Sequence, residues 1–585
     1  MAPEFSRSET STPLFIAVTG HRTLAAEHEE RVTAEVRRAL SQIQALVPHT
    51  NIRIVSGLAE GADTIVTQVG LDLGMEVEAV VAASTERYRS RLTVAARHDF
   101  DTFLRLPGVA ITEVPEGDDS SESPPGEGSA PYVAIGRYLA SRANLLFVLW
   151  DGTLTGLAGG TADVLLGFLG AGEGVSPGPE LQFLSGDETT AFGPEFALWF
   201  PVPRTEDEAG LIKEESPVYL SGVGARALAR HTSMPVALKQ QLEELERYNL
   251  SDDYGAGVPN GTPETEALLT GTPGAAEDDR RILATIEREL KKADRLALKN
   301  QRRSDRLFLA FGVMAALTGA LFLAHAALHH VSGYLIAYLV LLLGGIYLLR
   351  LSRRMRWFRQ HLLYRTLAEV LRTRLYLAGA GISDSPLYSD LLELSGVTRY
   401  PGYGLVSLVS KSVEPTFPGG GSESWDPDDP RFAAVERRWV DGQIGYFKTK
   451  IARLLRTLRR FGWVKIGLVV VTVIGLLSLI FFGNDLASVD LGGGVVAKAV
   501  VIFFVALLPY LVGVWGLYES KQAAPELLWL YRDQADSFSR AQTALRSAAT
   551  AEDKRDILIE LGRRSTMQNL LWVVHRYHRE HQPPS

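Results

Sequence analysis

The sequence predicts an α/β domain with a parallel sheet, followed by an all-α membrane domain of four transmembrane helices with cytoplasmic flanking helices. Residues 14–150 alternate short apolar runs with amphipathic stretches, and the second half of the chain contains four long apolar runs. The net charge of -8 argues against nucleic acid as a partner, because binding its phosphates needs a basic surface. The absence of cysteine excludes disulfides and thiolate chemistry.

Alternating β and α segments predict the parallel sheet, because each crossover helix returns the next strand in the same direction. The predicted strands are Leu14–Thr19, Ile52–Ser56, Val77–Ala82, Val109–Val114 and Leu145–Trp150. The predicted helices between them are Ala25–Leu46, Thr64–Leu73, Leu92–Leu106 and Tyr132–Arg142. Extra strands are expected at Ala197–Val202 and Pro217–Leu220, and the polar stretch Glu116–Pro131 is expected to be a surface loop.

Three glycine-containing segments follow the carboxyl ends of predicted strands one, two and five. Such turns leave N–H groups exposed, and the helix N-termini after them favour anions. Arg22 can grip a phosphate, whereas Asp63 and Asp163 could accept from ribose hydroxyls or a base edge, or could simply be helix caps. The predicted ligand-binding residues are Thr19, Gly20, His21, Arg22, Ser56, Gly57, Glu60, Gly61, Asp63, Gly159, Gly160, Thr161 and Asp163. We predict no metal and no catalytic residue among them.

The segments 19–22, 56–63 (SGLAEGAD) and 159–163 resemble, in this order, motifs of the SLOG superfamily, named for its SMF/DprA and LOG members. The resemblance covers about the first 200 residues. It implies a Rossmann-like parallel sheet that binds a nucleotide or NAD-derived ligand, without a further cofactor. The similar LOG enzymes cleave the base from nucleoside monophosphates with PGGxGTxxE, whose glutamate is catalytic together with an arginine.

The segment Leu157–Asp163 departs from the LOG motif, because it lacks the proline, one glycine and the glutamate. A non-enzymatic sensor is therefore expected. The alternative is a membrane-anchored nucleotide hydrolase, a LOG-like N-glycosidase.

Four apolar runs predict the membrane spans, because a hydrocarbon core of about 30 Å needs about 20 apolar residues of helix. They are Leu307–Leu328, Tyr334–Leu349, Ile466–Phe482 and Ala499–Tyr518. Buried core helices are the alternative. Lys and Arg are concentrated before the first run, after the second run and before the third run. The links inside each pair of runs carry only Lys498.

This charge pattern predicts the orientation in the membrane. We expect a multi-pass protein of the cell (inner) membrane with both termini in the cytoplasm. Gly333 and Gly492 are expected to face out, and Gly261 and Ser424 to face in.

The paired hairpins look like two copies of one helix–hairpin–helix module. The predicted division is a nucleotide-sensing domain at 1–250, a flexible linker at 251–279, a first module at 280–380, a loop-rich connector at 381–430, and a second module at 431–585 with a basic tail. The hairpins resemble the SLATT domain, a two-helix membrane module that often accompanies SLOG domains. This resemblance implies a homo-oligomeric, pore-forming effector in the bilayer and a role in prokaryotic conflict and antiphage defence.

A heptad seam before the third span needs a partner helix. Its members are Val440, Ile444, Phe447, Ile451, Leu454, Leu458 and Phe461. We expect it to pack on the helix before the first span or on the helix after the fourth. A helix lying on anionic headgroups is the alternative. Glu287 and Glu289 could offset the basic flanks of the seam.

Overall fold

The computed structural model describes residues 11–115, 129–154, 156–171, 182–185, 195–203, 216–224, 227–251, 263–269, 277–328, 331–382, 403–413 and 428–579. The chain divides into two compact units, each formed from two stretches of sequence. The first is Met1–Lys292 with Leu367–Asp426, and the second is Ala293–Thr366 with Pro427–Ser585.

A mixed and mostly parallel sheet forms the core of the first unit. Its strands are β1 (Leu14–Gly20), β2 (Ile52–Ser56), β3 (Glu76–Ala82), β4 (Val109–Val114), β5 (Leu145–Trp150), β6 (Gln182–Ser185), β7 (Phe196–Pro201), β8 (Val218–Gly224) and β9 (Ala227–His231). They lie in the order β4-β3-β2-β1-β5-β7-β8-β9-β6. The first six in this order are parallel, whereas β8 runs antiparallel to both of its neighbours. The predicted α/β sheet is confirmed, with an antiparallel extension at one side.

The helices of this part of the chain alternate with the strands, and several of them pack on the sheet. These helices are α1 (Ala26–Leu46), α2 (Ala62–Asp72), α3 (Thr85–Ser90), α4 (Val94–Phe103), α5 (Ser129–Arg142), α6 (Thr161–Phe168), α7 (Val236–Asn249) and α8 (Pro263–Leu269). The predicted single helix Leu92–Leu106 is preceded by α3, which the periodicity did not reveal. Ser84 and Thr93 each accept a hydrogen bond from a backbone N–H of the next turn, so two caps begin two short helices.

The connector between the membrane modules contributes one described helix, α12 (Tyr403–Ser412), to the first unit. Asn144 Nδ2 donates to the carbonyl of Leu408 at 3.3 Å, and Ser412 Oγ donates to that of Pro13 at 3.0 Å. Arg142 Nη1 donates to the carbonyl of Lys411 at 3.0 Å, which satisfies the C-terminal end of α12. Helix α12 therefore folds with the sheet.

Helices, most of them long, make up most of the rest of the described chain. They are α9 (Glu277–Ala327), α10 (Ser332–Met355), α11 (Trp357–Gly379), α13 (Pro430–Val435), a π-helical turn (Glu436–Asp441), α14 (Gly442–Ser488), α15 (Ala497–Gln522), α16 (Ala524–Ser547) and α17 (Ala551–Arg579). Within the described ranges, four helices are long and apolar enough to span a membrane. Their apolar side chains are exposed, as at Val340 and Phe481, which indicates a membrane protein rather than a buried core.

The cytoplasmic placement of the termini stays a prediction. Gly333 begins near the start of α10, and Gly492 lies in the link between α14 and α15. Gly261, Ser424, most of the expected surface loop Glu116–Pro131 and most of the predicted linker 251–279 lie outside the described residues. The described part of that linker includes the helix α8.

The heptad seam packs on α16, the helix after the fourth apolar run. The ring of Phe447 lies 5.9 Å from that of Tyr531 and 6.0 Å from that of Phe538. The expectation that Glu287 and Glu289 offset the basic flanks of the seam is wrong. Both carboxylates are buried and bind other partners, Thr265 and Lys291 for Glu287, and Thr12 and Tyr248 for Glu289.

Candidate functional site

The three glycine-containing segments follow three neighbouring strands. The sheet order places β2, β1 and β5 side by side, and all three run in parallel. From β1 the chain builds the sheet towards β4, whereas from β5 it builds towards β7. The carboxyl ends of β1 and β5 therefore mark a topological switch point, where α/β sheets bind ligands.

The first and second segments touch through their backbones. Gly61 has a φ of +75°, and a Cβ placed there would lie 2.5 Å from the carbonyl oxygens of His21 and Arg22. The N–H of Ala62 donates to the His21 carbonyl at 3.0 Å. A Cβ on Gly20 would collide with Ala62 and Leu149. Glycine at positions 20 and 61 is thus a condition of the close approach between the two segments.

Asp63 braces the second segment from inside. Its Oδ2 accepts from the N–H of Ala59 at 3.2 Å, and Ser56 Oγ accepts from the N–H of Leu58 at 3.1 Å. Burial raises the pKa of Asp63 to about 6, against hydrogen bonds from Ala59 and Ser56 that lower it. Tyr88, missed in the sequence, donates to the Gly57 carbonyl at 2.7 Å. Asp63 lies in the first turn of α2, but its carboxylate accepts from a residue before the helix, so it braces the loop and is not the helix cap, which is Gly61.

Asp163 does the same for the third segment. Its Oδ2 accepts from the N–H of Gly159 at 2.8 Å, four residues earlier, as Asp63 accepts from Ala59. Gly159 has a φ of +72°, and a Cβ there would lie 2.5 Å from the carbonyl carbon of Tyr132. The third segment is consequently held against the first turn of α5.

His21 and Asp151 join the first segment to the end of β5. The N–H of Asp151 donates to His21 Nε2 at 3.0 Å, and Asp151 Oδ2 lies 3.2 Å from the same nitrogen. Their side chains are 6% and 9% exposed. Sequence reasoning missed Asp151. It follows β5 as His21 follows β1, so the neighbourhood of the two strands was the signal that could have found it.

Arg22 is the exposed cation of the site. Its guanidinium carbon lies 4.3 Å from the centre of the Tyr132 ring, a cation–π contact that positions it beside the third segment. Tyr132 was placed in a predicted helix but not in the site. The carboxylate of Glu60 accepts a hydrogen bond from the hydroxyl of Thr93.

Two helices begin at the site with glycine caps. Gly61 is the N-cap of α2 and Gly160 is that of α6, with Thr161 as the first residue of α6. Glycine has no side chain with which to cap a helix, so the N–H groups of both first turns can favour an anion, apart from that of Ala62, which donates to the His21 carbonyl. Together with Arg22, they suit the phosphate of a small molecule.

Comparison with known protein families, characterised proteins and solved structures finds no match to this chain. Among the described residues, no group of three or more His, Asp and Glu side chains is arranged to hold a metal ion. The chemistry that the site offers is therefore that of backbone N–H groups, a guanidinium and a buried His–Asp pair.

Proposed function

We propose that this protein is a membrane-bound sensor that binds a phosphorylated nucleotide or an NAD-derived ligand at the switch point of its sheet and responds through its four apolar helices. The observation that carries the proposal is the convergence of three glycine segments, two glycine-capped helices and Arg22 at one edge of the sheet. Backbone N–H groups at helix starts bind phosphate in many unrelated proteins.

The proposal extends to the type of sensor and to the role of the membrane helices. A Rossmann-like, SLOG-like sensor joined to SLATT-like hairpins would act as an antiphage effector in the inner membrane. A pore would need several chains, because four helices make only a tight bundle. Close contacts support this step: a Cβ on Gly475 would lie 2.7 Å from Val505 Cγ2, and the Tyr510 ring lies against Gly319.

We also propose that both ends of the first hairpin lie on the same side of the membrane. Helix α12 follows the second apolar run and packs on the sheet through Asn144 and Arg142. If α9 and α10 cross a bilayer, both ends of that hairpin lie on one side of it. This agrees with the orientation that the basic flanks favour.

A thermal-shift screen of the full chain in lipid nanodiscs tests ligand binding. The full chain is needed because α12 and the end of α11 belong to the first unit. NAD, ADP-ribose, AMP and inorganic phosphate are the probes. A ligand at a hundred times its dissociation constant should stabilise the protein by about 2.7 kcal/mol. Absence of stabilisation by every probe, phosphate included, contradicts the proposal.

Arg22→Ala is the matched test of the site. Loss of one charge-assisted contact costs about 1.5–3 kcal/mol, so the stabilising probe should bind about tenfold to a hundredfold more weakly. Arg38→Ala, an exposed arginine on α1, is the control and should bind like the parent. Equal affinity of the parent and Arg22→Ala would remove Arg22 from the site.

A nucleotide hydrolase is the second candidate, because His21 and Asp151 form a buried His–Asp pair at the carboxyl ends of β1 and β5. The sensor is favoured because the Asp163 carboxylate, nearest to the position of the LOG glutamate, is bound to its own loop. Incubation of the full chain with AMP, followed by chromatography for free adenine, separates the two. Release of adenine that His21→Gln abolishes would establish the hydrolase.

A further inference from the structure

A buried polar cluster ties the amino end of β1 to helix α9. Thr12 Oγ1 donates to Glu289 Oε2 at 3.0 Å, and Tyr248 on α7 donates to the same oxygen at 2.8 Å. Lys292 Nζ, one turn along α9, lies 4.1 Å from the centre of the Tyr248 ring. Glu289 is 3% exposed, so its carboxylate needs these hydrogen-bond partners.

The same cluster reaches the amino end of β2. The backbone N–H of Thr12 donates to Asn249 Oδ1 at 3.0 Å, and Asn249 Nδ2 donates to Thr50 Oγ1 at 3.0 Å. Thr50 Oγ1 donates to Glu246 Oε2 at 2.8 Å. The residues that precede β1 and β2 are therefore held by one helix, α7. We call Thr12, Thr50, Glu246, Tyr248, Asn249 and Glu289 the Glu289 latch.

A second buried carboxylate fixes the same end of α9. Glu287 Oε2 accepts from the N–H of Thr265 at 2.7 Å and from its hydroxyl at 2.6 Å. Thr265 lies on α8, inside the segment whose composition suggested a flexible tether. A slip of α9 by one residue would break the bonds of Glu287 and Glu289 together, because both side chains would turn by about 100° around the helix.

We propose that the Glu289 latch conveys the state of the ligand site to the first membrane helix. Strands β1 and β2 carry segments 19–22 and 56–63 at their carboxyl ends and the latch at their amino ends. Helix α9 then runs unbroken from the latch through the first apolar run. This regulation rests on the proposed function of the site. In this proposal, the Glu289 latch converts a shift of β1 and β2 into a shift of α9.

A double-mutant cycle without any ligand tests the latch. Gly61→Ala perturbs the site, because its Cβ would meet the carbonyls of His21 and Arg22, and Tyr248→Phe removes one latch bond to Glu289. The measurement is amide hydrogen exchange of residues 283–292 in the full chain in nanodiscs. We expect severalfold faster exchange in either single variant. In the Tyr248→Phe background, Gly61→Ala should add nothing.

Two outcomes overturn the latch: multiplicative effects of the two changes, or unchanged exchange of 283–292 in Gly61→Ala. Glu243→Gln, on the exposed face of α7, is the control in place of Tyr248→Phe and should leave the response to Gly61→Ala intact. If Gly61→Ala does not fold, Thr64→Val replaces it, since Thr64 Oγ1 donates to the Ala59 carbonyl.

The cycle and the ligand screen fail independently. Absence of binding by every nucleotide probe and by phosphate would contradict the proposed function and leave a non-additive cycle standing. An additive cycle in a protein that binds one of the probes would instead overturn the latch alone.

Discussion

The two membrane modules, α9–α11 and α14–α16, are built alike and differ in what holds their first helix. In each, a long helix contains the first apolar run, a short link follows, and the second apolar helix ends at a non-glycine residue in the left-handed conformation. These residues are Arg356, with a φ of 50°, and Ala523, with a φ of 49°. Such residues are uncommon, so the same break at the same place is evidence of a repeated unit.

The side chains after the break keep a common register. Tyr364 and Tyr531 each lie eight positions beyond the break, and Ala368 and Ala535 each lie twelve positions beyond it. Leu371 and Phe538, fifteen positions beyond, are both almost fully buried. The third helices of the two modules therefore present equivalent faces to their surroundings.

The first helices have different partners. The start of α9 and the end of α11 belong to the first unit with the sheet, and α9 is held there by Glu289. The second module lies wholly in the second unit, where α14 packs on its own third helix through Phe447. The first module thus begins and ends within the first unit, whereas the second module packs on itself within the second unit.

The largest expected effect comes from weakening the packing of α14 on α16. Phe538 lies 5.8 Å from Trp439 and 6.0 Å from Phe447, ring centre to ring centre, so Phe538→Ala should cost about 3–5 kcal/mol of local stability. Hydrogen exchange of 436–460 in nanodiscs should rise accordingly. The equivalent change Leu371→Ala is the control and should loosen 357–379 while leaving 436–460 protected. Equal loss of protection in both segments would mean that the modules do not differ in their connections.

A pH titration separates the unfolding of the sheet from that of the modules. Burial raises the pKa of Asp63 to about 6, about two units above an unfolded aspartate. Protonated Asp63 is favoured in the folded state, so its contribution is fully present below about pH 4 and is lost as pH rises through 6. The loss is about 2–3 kcal/mol.

Thermal unfolding of the full chain in detergent, followed between pH 4 and 7, checks this effect. The transition of the sheet should move to lower temperature as pH rises, and Asp63→Asn should remove most of that movement. A slope unchanged in Asp63→Asn would assign the titration to another group.

The third prediction concerns the contact between the two modules. A Cβ on Gly319 would collide with the ring of Tyr510 on α15, so Gly319→Val should cost about 1–3 kcal/mol through overpacking. Gly312→Val, two turns earlier on α9 with open space around it, is the matched control. Melting temperatures in nanodiscs should fall for the first variant only. Equal melting temperatures would show that the modules do not depend on this contact.

Much of the sheet could be predicted from the sequence, because buried parallel strands are short unbroken apolar runs. Leu145–Trp150 has no polar residue, and its predicted bounds are those of β5. The glycine segments could be predicted for a similar reason, since their turns depend on local backbone freedom. The short strands β6 and β9, by contrast, have no distinctive pattern, and β9 is only part-buried.

The residues that join distant parts of the chain could not be predicted. Thr12 and Glu289 are 277 positions apart, so no spacing or periodicity relates them. His21 and Asp151, separated by 130 positions, are related only through the pairing of β1 with β5. The segment before α9 is rich in Gly, Thr and Pro and suggested a flexible tether, but one threonine on α8 binds a buried carboxylate of α9. Amino-acid composition indicates the local flexibility of a segment but not its hydrogen bonds to distant residues.

The smallest expected effect concerns a single bond between the modules. Tyr510 donates from its hydroxyl to the backbone carbonyl of Ala315 at 2.7 Å, and Tyr510 sits directly after Pro509 within α15. Tyr510→Phe keeps the ring against Gly319 and removes only this bond. Hydrogen bonds between membrane helices average about 0.6 kcal/mol, because unfolded helices in a bilayer also find partners.

Tyr510→Phe should therefore lower the melting temperature in nanodiscs much less than Gly319→Val. Tyr334→Phe, at the start of α10, is the control for removing a tyrosine hydroxyl from an apolar helix. A loss as large as that of Gly319→Val would mean that the bond, rather than the packing of the ring on glycine, joins the two modules. A small loss would place the stability of the junction in the close approach of helices at Gly319, as expected where lipid removes the hydrophobic drive for association.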